Sequence, residues 1–288
     1  FSILFNYNRH NKLNLNIIYL NLKMRNLFVY ILSFILGRKI LYNFNLNIIK
    51  LFFVFIGNNN FFSFKASGEE LFLNKVCNED PQLCIDVGAN IGNYSKYILE
   101  NSKSNIIAFE PSKRSFQKLD KLKAKYYSRL FTFNLGLGDR VTNLDLYYDK
   151  ENSLWANFNP EVNEIDYLKN NKLIEKSRVT KLDKIYNLNK KIFKDKVKLL
   201  KIDTEGYEYE VLLGALNFIK RKKPKYIQIE YNWHHMFKNV NLYKFSKLLK
   251  NYNVYKILPH SSGLLKVDPK RPENNYYNYS NYVFKLKK

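Results

Sequence analysis

The chain has 288 residues, 46% of them apolar and 16% aromatic, and carries a formal charge of +23 from 48 lysines and arginines against 25 acids. The apolar fraction supports a sizeable core and excludes an intrinsically disordered protein. The charge by itself would point to nucleic acid or an anionic membrane, but only nine of the basic residues are arginine, the side chain that reads phosphates and base edges best. An excess of Lys, Asn, Ile, Phe and Tyr is also what an AT-rich coding sequence produces, so no specific nucleic-acid partner is expected. Cys77 and Cys84 do not form a CxxC pair, which suits a reducing, cytoplasmic compartment. The four histidines offer no HxxH or HExxH spacing, so no transition-metal site is expected.

Residues 1–60 are Asn-rich and free of acids, with apolar runs at Leu27–Leu36 and Leu46–Ile56. Neither run reaches the roughly 20 residues of a membrane-spanning helix. Gly37, Arg38 and Lys39 separate the two runs and Lys50 interrupts the second. A helical segment leaning on a membrane through residues 24–57 is the expectation, ahead of a signal peptide, which would need a small-residue cleavage site. Met24-Arg25 resembles a natural start, which would place residues 1–23 upstream of it.

From Ser67-Gly68-Glu69-Glu70 a helical pattern of Leu71, Phe72, Lys75 and Val76 runs to the break at Asp80-Pro81, and the core domain, 67–288, begins here. Leu83, Cys84, Ile85 and Val87 form a run too short for a helix and read as a buried strand, which enters the glycine turn Gly88-Ala89-Asn90-Ile91-Gly92. Tyr94, Tyr97, Ile98 and Leu99 recur at helical spacing. Ile106–Glu110 is a second strand, and Pro111-Ser112 opens a helix whose face is Phe116, Leu119, Leu122 and Tyr126. Leu130–Leu135 is a third strand, and Leu144–Tyr148 alternates like an antiparallel one. Residues 150–176 are polar and carry no clear pattern. Arg178–Asp183 reads as an edge strand or a helix entry, and Val197–Asp203 as a buried strand. A single helix is expected over Val211, Leu212, Ala215, Leu216 and Ile219, followed by strand Tyr226–Glu230, helix Leu242–Leu249, and strands Val254–Leu258 and Tyr282–Leu286.

Strands alternating with helices predict a mostly parallel α/β sheet covered on both faces, with ligands beyond the strands' carboxyl ends. That rule gathers Asp86–Gly92, Glu110, Asn134, Asp203–Gly206 and Glu230 at one rim. The turn lacks the GxGxxG spacing of a diphosphate cradle, and Asp86 beside it would repel a diphosphate but attract a cationic ligand. S-adenosylmethionine meets these conditions, and Glu110 at the end of the second strand is placed for its ribose hydroxyls. Base candidates for chemistry at the rim are Asp203, Glu230, His234 and His235, with a histidine oriented by an acid preferred. Glu205 and Glu208 read as acids favoured by a helix N-terminus. A divalent ion held by Asp203 and Glu230 through oxygen ligands is the lesser option, resting on two acids.

Ile85-Asp-Val-Gly-Ala-Asn-Ile-Gly92, Ala108-Phe-Glu-Pro111, Leu137-Gly-Asp139, Val179-Thr-Lys-Leu-Asp183 and above all Lys201-Ile-Asp-Thr-Glu-Gly-Tyr-Glu208 with Val211-Leu212-x-Gly214-Ala215 together resemble FkbM-type methyltransferases. The resemblance implies a class I, Rossmann-like S-adenosylmethionine fold, with a seven-stranded sheet that has one antiparallel strand and helices on both faces. It also implies O-methylation of a sugar, glycolipid or other small natural product. Carried over by position, Asp86, Gly88, Ala89, Asn90 and Gly92 would line the methionine end of the cofactor. Glu110 and Pro111 would hold the ribose, and Asn134 would lie on the adenine side. Two rivals are a nucleic-acid methyltransferase, whose Asp/Asn-Pro-Pro-aromatic motif is absent, and a non-catalytic, membrane-associated accessory protein.

Overall fold

Residues 22–58, 63–149, 155–259 and 263–288 are described by the structure, a computed structural model. Helix α1, Leu22–Leu36, and the helical stretch Lys39–Phe55 meet at an 86° bend. The stretch comprises a 3₁₀ turn at Lys39–Leu41 and helix α2, Tyr42–Phe55. The bend falls at Gly37-Arg38, where the Asn45 side-chain amide donates to the Leu36 carbonyl, 2.7 Å away, and satisfies an end that the helix leaves open. Among the described residues no single helix is long and apolar enough to cross a membrane, and the bent pair passes only when taken together. Two units divide between Phe53 and Val54. The expectations placed on residues 1–21 lie outside the described residues.

In the second unit the chain runs α3 (Glu69–Asn78), β1 (Leu83–Val87), α4 (Asn93–Asn101), β2 (Asn105–Phe109), α5 (Lys113–Lys121), α6 (Lys123–Tyr126), β3 (Leu130–Phe133), β4 (Gly136–Leu137) and β5 (Thr142–Tyr148). Short 3₁₀ turns between Pro160 and Leu168 lead to β6 (Leu173–Thr180), α7 (Leu182–Leu188), β7 (Val197–Ile202), α8 (Glu208–Leu213), α9 (Leu216–Lys222) and β8 (Tyr226–Tyr231). After a 3₁₀ turn at Trp233–Lys238 come α10 (Leu242–Leu248), β9 (Tyr252–Ile257), β10 (Leu264–Lys266) and β11 (Ser280–Leu286).

The main sheet has the order β10-β9-β11-β8-β7-β1-β2-β3. Strands β3, β2, β1, β7 and β8 pair in parallel, while β11 runs antiparallel to both β8 and β9. This is the expected class I sheet of seven strands with one reversed, and three-residue β10 adds an eighth at the edge. A separate sheet, β4-β6-β5, stands beside it.

The central strand shows why the sheet is covered twice. All five residues of β1 are buried. Leu83, Ile85 and Val87 enter one apolar cluster with Ile107, Phe109, Leu200 and Ile202. Cys84 enters the other with Ile106, Ala108 and Leu199. Side chains alternate faces along a strand, so a run apolar on both faces needs helices on both sides. Truncating Ile85 to alanine inside such packing costs about 2–5 kcal/mol.

The expected helix over Val211–Ile219 is two helices, α8 and α9, broken at Gly214-Ala215. A Cβ on Gly214 would overlap the Gly138 carbonyl oxygen, so only glycine lets this backbone reach the β4 loop. Asp183, in the first turn of α7, then restarts the helix by accepting the Asn217 and Phe218 backbone N–H groups at 3.2 and 2.7 Å. Both readings of Arg178–Asp183 meet in the structure: β6 ends at Thr180 and α7 begins at Leu182. Residues 150–154 lie outside the described residues. From 155 the patternless stretch folds into 3₁₀ turns and the first half of β6, whose Leu173 and Ile174 are exposed.

Candidate active site

Four elements build the site at the carboxyl ends of β1, β2, β7 and β8. The β1 turn comes first. Gly88 has φ +77°, and a Cβ there would overlap the Asp203 carbonyl, so the glycine is needed for the β1 and β7 ends to meet. Asn90 holds a left-handed φ of 49°, a strain that backbones keep where surroundings over-determine them. Its N–H donates to Glu110 Oε2 at 2.7 Å, and the Ser112 N–H donates to Glu110 Oε1 at 2.8 Å. Each carboxylate oxygen retains a second lone pair. Burial pushes the Glu110 carboxyl up to about 7, Asp86 adds to the rise, and the two backbone amides and Lys201 oppose it.

Asp86 lies on β1 itself, buried, with Oδ2 accepting from Ser95 Oγ at 2.7 Å and Oδ1 3.6 Å from the Lys201 ammonium. Lys201 Nζ is also 3.0 Å from Asp203 Oδ2. Burial disfavours the Lys201 charge, but Asp203, Asp86 and Glu69 outweigh it and hold the ammonium above the usual lysine range.

The β7 loop carries the other acids. Glu205 adopts φ 52° and Gly206 φ 95°, and the space of the missing Gly206 Cβ is filled by the His234 side chain. Glu205 Oε2 lies 3.1 Å from His234 Nδ1. His234 Nε2 lies 2.9 Å from the Tyr167 hydroxyl, which also meets Tyr279 Oη at 2.9 Å and accepts from Trp233 Nε1 at 2.5 Å. One assignment fits these contacts: His234 Nδ1 faces Glu205 as a close polar contact, and Tyr167 O–H donates to His234 Nε2 while accepting from Trp233 and Tyr279.

His235 turns the opposite way. Its Nδ1 accepts the Asn232 N–H at 3.2 Å and its Nε2 lies 2.8 Å from Glu208 Oε2. Glu208 in turn accepts the Thr204 and Gly206 N–H groups at 2.7 and 3.3 Å. Burial works against ionised Glu208, but His235 and the backbone donors hold it below the usual carboxylate range. Fully buried, with Nδ1 on the Asn232 N–H and Nε2 against Glu208, His235 faces the β7 loop and does not line the cavity between that loop and the β1 turn.

Asp203, Glu205 and Glu230 bring carboxylate oxygens within 4.8 Å of one another, a grouping that a divalent cation would fit. Each already has a protein partner: Lys201 for Asp203, His234 for Glu205, and Asn232 Nδ2 for Glu230 at 3.0 Å. Burial, and then the charges of Asp203, Glu205 and Glu208, raise the Glu230 carboxyl well above its ordinary value.

Between the β1 turn and the β7 loop opens a cavity of about 320 Å³, within the range of roughly 300–1,000 Å³ of small-molecule sites. Gly88–Ile91, Glu110 and Pro111 form one wall, Lys201 and Asp203–Glu205 the other, and Leu137, Leu146, Trp155 and Phe158 close the side. Asn90 Oδ1 and Thr204 Oγ1, on lining residues, are buried without hydrogen-bond partners, polar atoms of the kind a polar ligand completes. Three predicted residues stand aside: Asp86 on β1, Asn134 and Gly92. Asn134 donates from Nδ2 to the Glu110 and Pro111 carbonyls at 2.9 and 3.0 Å, tying β3 to the β2 loop, and Leu135 lines the cavity in its place. Gly92, at φ 90°, caps α4 and lies against Leu119 and Leu122.

Residues 86–256 match the family model described as the methyltransferase FkbM domain. The chain belongs to that family. It is an S-adenosylmethionine-dependent methyltransferase, and the unpartnered oxygens and the Glu110 carboxylate fit that cofactor. Among solved structures, an rRNA methylase from Streptococcus thermophilus is 10% identical, covers 78% of this chain and 97% of its own, and has a TM-score of 0.41. A precorrin-6y C5,15-methyltransferase from Geobacter metallireducens is 11% identical, with 76% and 87% covered and a TM-score of 0.37. M. capricolum TrmK, solved with S-adenosyl-homocysteine, is 14% identical, with 75% and 68% covered and a TM-score of 0.33. Likeness at this level says nothing of the acceptor. No curated protein matches the chain.

In the FkbM domain Glu205 lines the cavity although the sequence assigns it no role there. It sat in plain view within Ile202-Asp-Thr-Glu-Gly206, but an acid at a helix start has an ordinary explanation in the helix dipole. The left-handed backbone that turns Glu205 to the cavity shows only in three dimensions.

Proposed function

We propose that the enzyme methylates a hydroxyl oxygen of a sugar, glycolipid or other small natural product, with Glu205 as the base. The observation that carries this is the Glu205 carboxylate itself, which lines the cavity across from the cofactor turn with fully buried His234 behind it. His234, first expected to act on the acceptor, is on this account a positioning residue.

The cofactor, when bound, supplies an electrophilic methyl group. The acceptor oxygen forms the new O–C bond, its proton passes to Glu205, and the electron pair of the broken S–C bond stays on sulfur. Burial raises the Glu205 carboxyl, with Asp203 and Glu208 acting in the same sense and His234 against them. A carboxylate so tuned takes a proton near neutral pH better than a free one. Trp155 in the cavity wall packs edge-on against Tyr167, and Trp233 and Tyr279 extend the aromatic surface. Such a wall suits the apolar face of a sugar or another flat ring.

The test is a screen of glycans, lipids and small hydroxylated compounds with methyl-labelled cofactor, followed by Glu205→Gln on the acceptor found. Turnover falls by on the order of 10²–10⁴ with cofactor affinity unchanged, since that is what a general base contributes. Full turnover in the variant would remove Glu205 from the role.

A cytoplasmic enzyme that leans on a membrane through residues 24–57 belongs to the same proposal. Nineteen large apolar side chains between Leu22 and Ile56 are exposed, with no acid among them and with Lys23, Arg25, Arg38, Lys39 and Lys50 interspersed. Apolar surface with basic flanks favours anionic lipid. The chain should float with anionic vesicles and lose this on deletion of residues 24–57; equal flotation after deletion would refute it.

A further inference from the structure

The chain carries +23 overall, yet the cavity is acidic. Glu110, Asp203 and Glu205 line it, and Lys201 is the single cation among the described lining residues. Lys201 is only 7% exposed, an unusual place for a lysine. The parallel register sets it directly beside Asp86. Its Nζ is 3.0 Å from Asp203 Oδ2, 3.6 Å from Asp86 Oδ1, and 4.8 Å from the centre of the Tyr94 ring.

We infer that Lys201 is the counter-ion for the α-carboxylate of the cofactor, and that Asp203 receives its α-ammonium. The inference rests on the cavity being the S-adenosylmethionine site. An α-amino acid group presents one positive and one negative charge, and the β1–β7 junction presents the complement from two adjacent strands. Asp86 is satisfied on one oxygen by Ser95 Oγ, while its other oxygen faces Lys201 without a hydrogen bond. Lys201 is held between the two acids, at 3.0 Å from Asp203 and 3.6 Å from Asp86, and Asp203, whose side chain is 32% exposed, reaches the cavity with acceptor capacity to spare for the ligand. Without Lys201 a carboxylate entering the cavity would meet only acids. A lysine present solely to neutralise Asp86 and Asp203 would make no distinction between ligands with and without the carboxylate, and this separates the two roles.

Titration calorimetry with S-adenosylmethionine and with decarboxylated S-adenosylmethionine measures the distinction without any acceptor. The wild-type enzyme should prefer the carboxylated ligand by about 10- to 100-fold, the range of a hydrogen bond to a charged group. Lys201→Met should abolish the preference by weakening the carboxylated ligand while the decarboxylated one binds as well or better. Lys201→Arg, which keeps the charge, should retain a preference. Equal affinities in the wild-type enzyme overturn the inference even if Lys201→Met fails to fold, and an undiminished preference in a folded Lys201→Met overturns it as well. Absence of binding by either ligand to the wild-type enzyme overturns the inference together with the cavity assignment, a result distinct from equal binding of both.

Discussion

Glu110 offers the sharpest perturbation because its substitution separates cofactor binding, which should fall, from stability, which should barely change. Moving a carboxyl from an ordinary 4.5 to about 7 means that the ionised form is disfavoured in the folded protein by about 3 kcal/mol. The folded value lies above the unfolded one, so the penalty is absent below about pH 4.5, grows between pH 4.5 and 7, and is complete above 7. Glu110→Gln removes it, but leaves one of two backbone donors, Asn90 N–H or Ser112 N–H, facing an amide NH₂. An unmet donor costs about 1–3 kcal/mol. The two terms nearly cancel, so the variant should unfold within about 1 kcal/mol of wild type at pH 8. Cofactor affinity should fall sharply. Two ribose hydroxyl bonds change from charge-assisted to neutral, a loss of about 1 kcal/mol or more each, or roughly 30-fold in dissociation constant. Wild-type affinity should also decline about tenfold per unit as pH falls below about 7, while the variant lacks this component. Titration calorimetry at pH 6, 7 and 8 beside urea unfolding checks all three. A variant that binds S-adenosylmethionine within threefold of wild type at pH 8, or that keeps the same pH slope, refutes the assignment of Glu110 to the ribose.

Other substitutions separate loop architecture from chemistry. Gly88→Ala places a Cβ against the Asp203 carbonyl at a left-handed φ, and urea unfolding should show a loss of at least about 2 kcal/mol. Asp183→Ala uncaps α9 and should cost about 1–2 kcal/mol, with calorimetry finding cofactor affinity unchanged. His235→Ala removes the imidazole facing buried Glu208 Oε2 and leaves the carboxylate only its two backbone donors, for a cost of about 1–3 kcal/mol at neutral pH. Because the folded Glu208 value is lowered, the stability it contributes is present above about pH 4.5 and is lost as pH falls through the folded value. Unfolding curves of wild type and variant should therefore converge in acid.

The sheet was legible wherever a strand is buried on both faces. Leu83–Val87, Ile106–Phe109, Val197–Ile202 and Tyr226–Ile229 are apolar runs with no competing helical reading, and they carry the rim acids with them. Legibility failed where tertiary contact overrides local preference. Nothing in Val211–Ile219 marks a break, because the Gly214 constraint comes from Gly138, far away in sequence. β6 starts with exposed Leu173 and Ile174 in a ribbon outside the main sheet, so its apolar pattern is weak. Asn134 sits at a strand end as expected, but its amide turns to two carbonyls. His234 and His235 are neighbours in sequence, and only the turn at Asn232 decides that one backs Glu205 and the other Glu208.

On the proposed function, the cavity between the β1 turn and the β7 loop holds the cofactor with its sulfur toward Glu205. A crystal structure with S-adenosyl-homocysteine tests it most directly. The ribose should lie on Glu110, the homocysteine carboxylate on Lys201, and the sulfur nearer to the Glu205 carboxylate than to any other titratable group. A ligand whose sulfur points away from Glu205, or whose ribose lies off Glu110, would contradict it.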